Sequence, residues 1–454
     1  MQVSPNSTRR DLLKLVAALP LGAALLAACG GGTTATTSTS GAAATAATSS
    51  TRQAAAASTT LTLMIQTDPK QQTMYEKIVK PFTQAKVNII QGGAGALQIQ
   101  QKLLLLLSAN TPPDVYWTHT YIDSGLASLG IPADLSSYMA KDKSFDDSDI
   151  FSASMKDFNI LGKQYAFPRE TTSYIMVYNK DLFQKGSVAE PTADWTWNDY
   201  VQTAQKLTSG SGATKVWGTA GWPNPPYVYP AIIRVWQHGG DVVNKERTTY
   251  TMDQTPGVEG IQDIADLIHK YKVHASSADL QGTNVGDLFN TGRIAMLPYF
   301  NVFGAFANAK FTWDIQHLPH GTKDQVTRVA SAGHSMATAS KQKELSWGLL
   351  KQLISKAAYE AYFADGLPVA SKSVREAALK NQDGKPPAHI KIGIDALSYA
   401  RPEPVVGNWI GIHQAIANAL QGVYGPQHKD VKTVLTAVAP EVNQLIKAKP
   451  TATK

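Results

Sequence analysis

From residue 61 onward the chain alternates short apolar runs with amphipathic stretches, and that alternation restricts the folded part to the α/β class. Residues 61–65 (LTLMI) read as a strand, and the stretch after them places Met74, Ile78 and Phe82 at four-residue spacing, as one face of a helix does. Residues 87–90 make a second strand and 97–107 a second helix; after Thr111-Pro112-Pro113, residues 114–117 make a third strand. The expected result is a sheet with helices on both faces. Further along, a helix over 198–207 starts behind a capping box of Thr196 and Asp199, and 257–271 sets Val258, Ile261, Ile264, Ala265 and Ile268 on one face. Residues 341–364 read as one long helix closed by Gly366.

What precedes residue 61 is of another kind. Arg9-Arg10-Asp11-Leu12-Leu13-Lys14 followed by an uncharged run over 15–28 has the basic and apolar regions of an export signal, and the run is shorter than the roughly 20 residues a membrane span needs. The paired arginines resemble a twin-arginine signal, with the general secretion route as the alternative. Leu26-Ala27-Ala28-Cys29 resembles the lipoprotein cleavage box, which makes Cys29 the lipid-modified first residue of the mature protein. Cys29 is the only cysteine among 454 residues, so the folded part holds no disulfide. Residues 30–60 are Gly, Ala, Ser and Thr apart from Arg52 and Gln53; this composition cannot bury enough apolar surface to offset its ordering entropy and serves as a tether reaching about 30 Å. The net charge of +7 is small and dispersed, which argues against a nucleic-acid partner. About 390 residues remain for the folded body, enough for two domains.

Several segments, taken together and in order, resemble the extracellular solute-binding proteins of sugar ABC importers, the group that includes maltose-binding protein. They are Pro113-Asp114-Val115-Tyr116-Trp117, Gly162-Lys163-Gln164-Tyr165-Ala166-Phe167-Pro168, Val177-Tyr178-Asn179-Lys180-Asp181-Leu182-Phe183, Trp195-Thr196-Trp197-Asn198-Asp199-Tyr200, His238-Gly239-Gly240-Asp241, Phe289-Asn290-Thr291-Gly292-Arg293-Ile294-Ala295-Met296 and Gly366-Leu367-Pro368-Val369. The resemblance implies a two-lobed, type II-like periplasmic-binding-protein fold whose lobes close over a ligand by a hinge. Carried onto this chain, it implies interlobe crossings near 170–172, 329–332 and 366–370. The divisions then are an export signal at 1–28, a lipidated cysteine and linker at 29–60, lobe one at 61–171 and 331–369, and lobe two at 172–330 and 370–454. The same resemblance implies a monomer without cofactor or metal, exported and lipid-anchored on the outer face of the cell membrane. It would deliver a carbohydrate to the membrane permease subunits of an ABC importer.

A sugar offers apolar C–H faces and a rim of hydroxyls, so its binder needs flat aromatic surfaces and planar polar groups. The stacking candidates among the nine tryptophans are Trp117 at the end of the third strand, Trp222 in a Gly/Pro-rich loop, Trp236 before His238-Gly239-Gly240, and Trp409 at the start of a late helix. Tyr299 and Phe300 join them; Trp195, Trp197 and Trp347 read as core. The polar candidates are Asp68 after the first strand, Arg169 and Glu170 at the first crossing, and Asn301 and His334 at later interlobe positions. Arg169 and Glu170 could equally pair with each other.

Other chemistries fit less well. Gly333-His334-Ser335-Met336-Ala337 resembles a nucleophile elbow, with Asp365 and His389 or His413 following in the order an α/β-hydrolase requires, but helical periodicity begins only after Ser340. His317 and His320 lack a third metal ligand nearby. Within the binding-protein reading, polyol phosphates and peptides are the alternative solutes; Arg169, Arg234, Arg293 and Arg401 are too scattered in sequence to show an anion site.

Overall fold

The computed structural model describes residues 59–448 apart from 224, 226–227, 281, 301–305, 307 and 381–385. The leader, Cys29, the linker and Asn301 lie outside the described residues. In chain order the strands are β1 (Thr60–Gln66), β2 (Lys86–Gly93), β3 (Val115–His119), the small hairpin of β4 (Asn159–Ile160) and β5 (Lys163–Gln164), β6 (Phe167–Ser173), β7 (Ile175–Asn179), β8 (Trp217–Thr219), β9 (Ile294–Tyr299), β10 (Trp313–Gln316), β11 (Thr327–Met336) and β12 (Ala400–Arg401). They build two main sheets. The first runs β12-β11-β3-β1-β2, with β6 also on β11; the second runs β10-β7-β9-β8.

In the first lobe β1 lies parallel to both β2 and β3. Its residues Leu61, Leu63, Met64 and Ile65 are all fully buried, as a central strand covered on both faces requires. Helix Pro69–Val79 packs Met74, Tyr75 and Ile78 on one face, against a core that also takes Trp347, Leu350, Tyr359 and Val374 from later in the chain. Helix Ala96–Ser108 covers the other face with Ile99 and Leu103.

The second lobe is larger. Tyr178, Tyr200, Trp222, Ile232, Trp236, Ile261 and Ile264 form its core together with Trp409, Ile416, Leu420, Leu435 and Val442. Helices Trp409–Tyr424 and Val431–Lys447 therefore close this lobe, although they are last in the chain. Helix Trp197–Leu207 begins at the expected capping box: Thr196 Oγ1 accepts from the Asp199 amide at 3.2 Å and Asp199 Oδ2 accepts from the Thr196 amide at 2.8 Å.

Three segments lie side by side where the lobes meet. β6 and β11 pair antiparallel from Val329↔Ser173 to His334↔Phe167, and β11 continues onto β3. The third is the stretch around Val369: Thr171 N donates to Pro368 O at 2.8 Å and Ala370 N to Arg169 O at 3.0 Å. Arg375, 3 % exposed, ties these strands by donating to the carbonyls of Thr171, Pro368 and Val369. Contact between lobes extends beyond the hinge, because Ile410 of helix Trp409–Tyr424 packs against the first-lobe cluster that includes Ile122 and Leu126.

One element departs from expectation. Residues 341–364 form two helices, Lys343–Leu353 and Lys356–Ala364, because Ser355 adopts an extended backbone and caps the second by accepting from the Ala358 amide at 3.2 Å. No glycine or proline marks that break. Gly366 does close the second helix, at φ +87°, with Gly366 N on Phe363 O and Leu367 N on Tyr362 O.

Candidate functional site

The junction of the lobes gathers residues from four elements of the first sheet and its covering helices. β1 ends at Gln66, β3 carries Trp117, β6 carries Arg169 and Glu170, and β11 carries His334 directly opposite Trp117. Open α/β sheets bind ligands beyond the carboxyl ends of such strands. Arg169 is 1 % exposed and is the centre of the group. Its Nη1 donates to Gln71 Oε1 at 3.1 Å and Tyr75 Oη at 2.8 Å; its Nη2 donates to Gln66 Oε1 at 3.2 Å and Glu170 Oε1 at 2.7 Å. The rings of Tyr362, Trp117 and Tyr75 surround the guanidinium at 5.7, 5.8 and 5.9 Å.

Protonation follows from this packing. Burial pushes the Tyr75 phenol up to about 12 despite the neighbouring guanidinium, so it stays protonated. Burial, reinforced by Arg169, drives His334 well below its ordinary value, so its ring is neutral. Tyr75 Oη accepts from Arg169 and lies 2.7 Å from His334 Nε2, which assigns the histidine proton to Nδ1. Three buried N–H groups then stand without a partner in one cluster: His334 Nδ1, Trp117 Nε1 and Arg169 Nε. Native interiors seldom leave such donors unpaired, so each calls for a partner from outside the chain, a water or a ligand.

The second lobe adds an aromatic surface. Tyr299 and Phe300 stack at 5.4 Å with 25° between their planes, Tyr174 lies 5.6 Å from Phe300, and Phe300 is 42 % exposed. The other aromatic candidates are enclosed and stand apart. Trp222 is fully buried with Nε1 on Tyr200 Oη at 2.7 Å. Trp236 gives its Nε1 to Asp241 at 2.8 Å beneath the Arg401 guanidinium, and Trp409 gives its Nε1 to Glu403 at 2.6 Å. Asp68 caps helix Pro69–Val79 by accepting from the Lys70 amide at 2.8 Å. Gln66, Gln71, Tyr75 and Tyr362 were not among the sequence candidates; Tyr75 reads as one more apolar helix position beside Met74 and Ile78.

A second buried polar group lies close by. Asp123, 1 % exposed, accepts from Thr118 Oγ1 at 2.7 Å through Oδ1, while Oδ2 has no partner. Burial pushes its carboxyl up to about 7, from an ordinary value of 3.8. A carboxyl raised in this way favours folding when protonated: its contribution is complete below about pH 4 and is lost as pH rises to 7. Asp123→Asn is accordingly expected to raise stability at pH 8 by on the order of 2 kcal/mol and to change little at pH 4, read from urea denaturation at both values.

Ser335 is not built as a nucleophile. It lies within β11, fully buried, with Oγ donating to Tyr165 O at 2.9 Å, and the next helix begins at Lys343. His389 Nδ1 lies 2.7 Å from Asp314 and His413 Nε2 3.1 Å from Glu403. His317 and His320 bond Tyr399 Oη and Ala193 O, and among the described residues no group of three or more His, Cys, Asp or Glu is placed to hold a metal. No helix among them is long and apolar enough to cross a membrane.

Two lobes hinged on three adjacent segments, with unpaired donors at their junction, define a two-lobed binding protein. The model of the bacterial extracellular solute-binding protein family matches residues 66–360, and the chain belongs to that family. It is 27 % identical to the substrate-binding protein Lmo0181 of Listeria monocytogenes, solved in complex with cycloalternan; the superposition has a TM-score of 0.74 and covers 86 % of this chain and all of that one. The diacetylchitobiose binding protein DasA of Streptomyces coelicolor is 25 % identical over 402 residues, 83 % of this chain and 84 % of its own. The sn-glycerol-3-phosphate-binding protein UgpB of Rhizobium meliloti is 36 % identical over 186 residues, but these are only 37 % of this chain and 40 % of its own.

Proposed function

We propose that this protein captures a carbohydrate between its lobes and delivers it to the membrane subunits of an ABC importer, one lobe docking on each. Export by the leader and lipid attachment at Cys29 hold it at the outer face of the cell membrane, and catalysis forms no part of its role. The observation that carries the reading is the junction cluster: unpaired N–H donors on Trp117, Arg169 and His334 beside the Glu170 carboxylate, with the open ring of Phe300 lining a hollow along the same β6 strand at Thr171 to Ser173. Donors, an acceptor and an aromatic face are what a hydroxyl rim and an apolar sugar face require. Relatives named or solved with diacetylchitobiose and cycloalternan support the same ligand class.

A polyol phosphate is disfavoured by charge. The guanidinium of Arg169 is already balanced by Glu170 at 2.7 Å and shared among three neutral acceptors, so the cluster offers a dianion no spare positive charge. A thermal-shift screen tests the choice, because a ligand that binds only the folded state raises the melting temperature. Oligosaccharides or monosaccharides should stabilise the protein; stabilisation by glycerol-3-phosphate and by no sugar would reverse the assignment. With a stabilising sugar in hand, Phe300→Ala and Trp117→Phe should each weaken binding about tenfold by calorimetry. The first removes an exposed ring and should shift the melting temperature little; the second also shrinks a buried ring packed against Arg169, so it should lower the melting temperature modestly while the variant stays folded at the temperature of the titration.

A further inference from the structure

The second lobe contains a cavity of about 580 Å³ that takes no residue of the junction cluster. The loop after β8 supplies Trp222 and Pro223, the segment after helix Thr255–His269 supplies His274 and Leu280, and the last turns of helix Trp409–Tyr424 supply Gln421 and Tyr424. Its volume falls in the range of small-molecule sites. No Asp, Glu, Lys or Arg is among its described lining residues, so no permanently charged side chain among them would compensate a charged ligand.

Two polar groups on this wall are left open. His274 is 4 % exposed, and its Nε2 accepts from the Trp222 amide at 3.3 Å. That bond places the proton of the neutral ring on Nδ1, which faces the Ala275 backbone without forming a well-made hydrogen bond to it. Burial holds this histidine down at about 4, so the ring is neutral at physiological pH. The Tyr424 hydroxyl is likewise buried without a partner. The cavity thus combines proline and aromatic walls with one open donor and one hydroxyl able to donate or accept.

We propose that this cavity is a second binding site, separate from the junction of the lobes, for a neutral one- or two-ring aromatic molecule carrying a carbonyl or hydroxyl oxygen. The ring would lie among Pro223, Pro225, Pro426 and Tyr424, and the oxygen would accept from His274 Nδ1 and Tyr424 Oη. A sugar is a poorer match, because a full rim of hydroxyls would meet mostly apolar wall.

Benzamide, phenol and indole titrated into the full chain, followed by calorimetry and ligand-observed NMR, test the proposal. Benzamide is expected to bind. Tyr424→Phe should weaken it about tenfold while leaving the melting temperature of the free protein unchanged, since the hydroxyl removed has no partner. Leu280→Trp, which fills the cavity from its rim, should abolish binding. Failure of all three probes to bind the unaltered protein at about 5 mM would overturn the proposal. So would binding that neither substitution changes.

Discussion

Replacing Arg169 by Met is expected to lower folding stability by about 3–5 kcal/mol in urea denaturation and to abolish ligand binding. The magnitude follows from what the guanidinium satisfies. At 1 % exposure it donates to Glu170, Tyr75, Gln66 and Gln71, and Met would leave the Glu170 carboxylate and the oxygens of Tyr75, Gln66 and Gln71 without this donor. Those partners come from β1, β6 and helix Pro69–Val79, so the side chain also fixes the strand ends that frame the junction. Arg169→Lys should recover part of the stability through charge, but not binding, because one ammonium cannot make the same planar fork among three rings. A Met variant as stable as the original protein would mean that apolar volume alone suffices there.

The second large effect is expected at Glu403. This carboxylate, 5 % exposed, accepts from Arg328, from Trp409 Nε1 at 2.6 Å and from His413 Nε2 at 3.1 Å, while Arg328 lies 4.0 Å over the Tyr229 ring. Burial alone would raise its pKa, but the charge of Arg328, together with His413 and the hydrogen bond from Trp409, outweighs burial and holds it well below the ordinary 4.5. A depressed carboxylate contributes stability that is present above the unfolded value and lost as pH falls through the folded one. Glu403→Gln should therefore lower stability by about 3 kcal/mol at pH 7. The difference from the original protein should narrow progressively below about pH 4.5. A difference independent of pH would show that shape, and not charge, is what the site needs. The trend opposes that of Asp123, so mild acid, between the two ranges, is where both carboxyls favour folding.

Much of the architecture is legible in the sequence because it is written in short-range patterns. Strands β1 to β3 and the helices between them follow from apolar runs and four-residue spacing, and the Thr196–Asp199 box marks a helix start by itself. The break at Ser355 is not legible, since a single extended residue inside a helical pattern carries no glycine or proline to announce it. The junction divides the same way. Trp117, Arg169, Glu170 and His334 could be named from their places at strand ends and crossings, and the structure brings them together. Gln71 and Tyr75 could not, because their bonds to Arg169 span 98 and 94 residues and depend on how the helix seats against the sheet. For Trp222, Trp236 and Trp409 the residue type alone does not separate a platform from a core ring. Only the partners of their N–H groups, Tyr200, Asp241 and Glu403, do so.

The central claim is that a carbohydrate binds at the lobe junction. Calorimetric titration of the purified protein with a panel of mono- and oligosaccharides, repeated on Trp117→Phe, tests it most directly. The account predicts saturable one-to-one binding by at least one sugar, weakened about tenfold in the variant. It would be contradicted by a protein that takes up glycerol-3-phosphate or a peptide and no sugar, or by sugar binding that the loss of the Trp117 N–H leaves untouched.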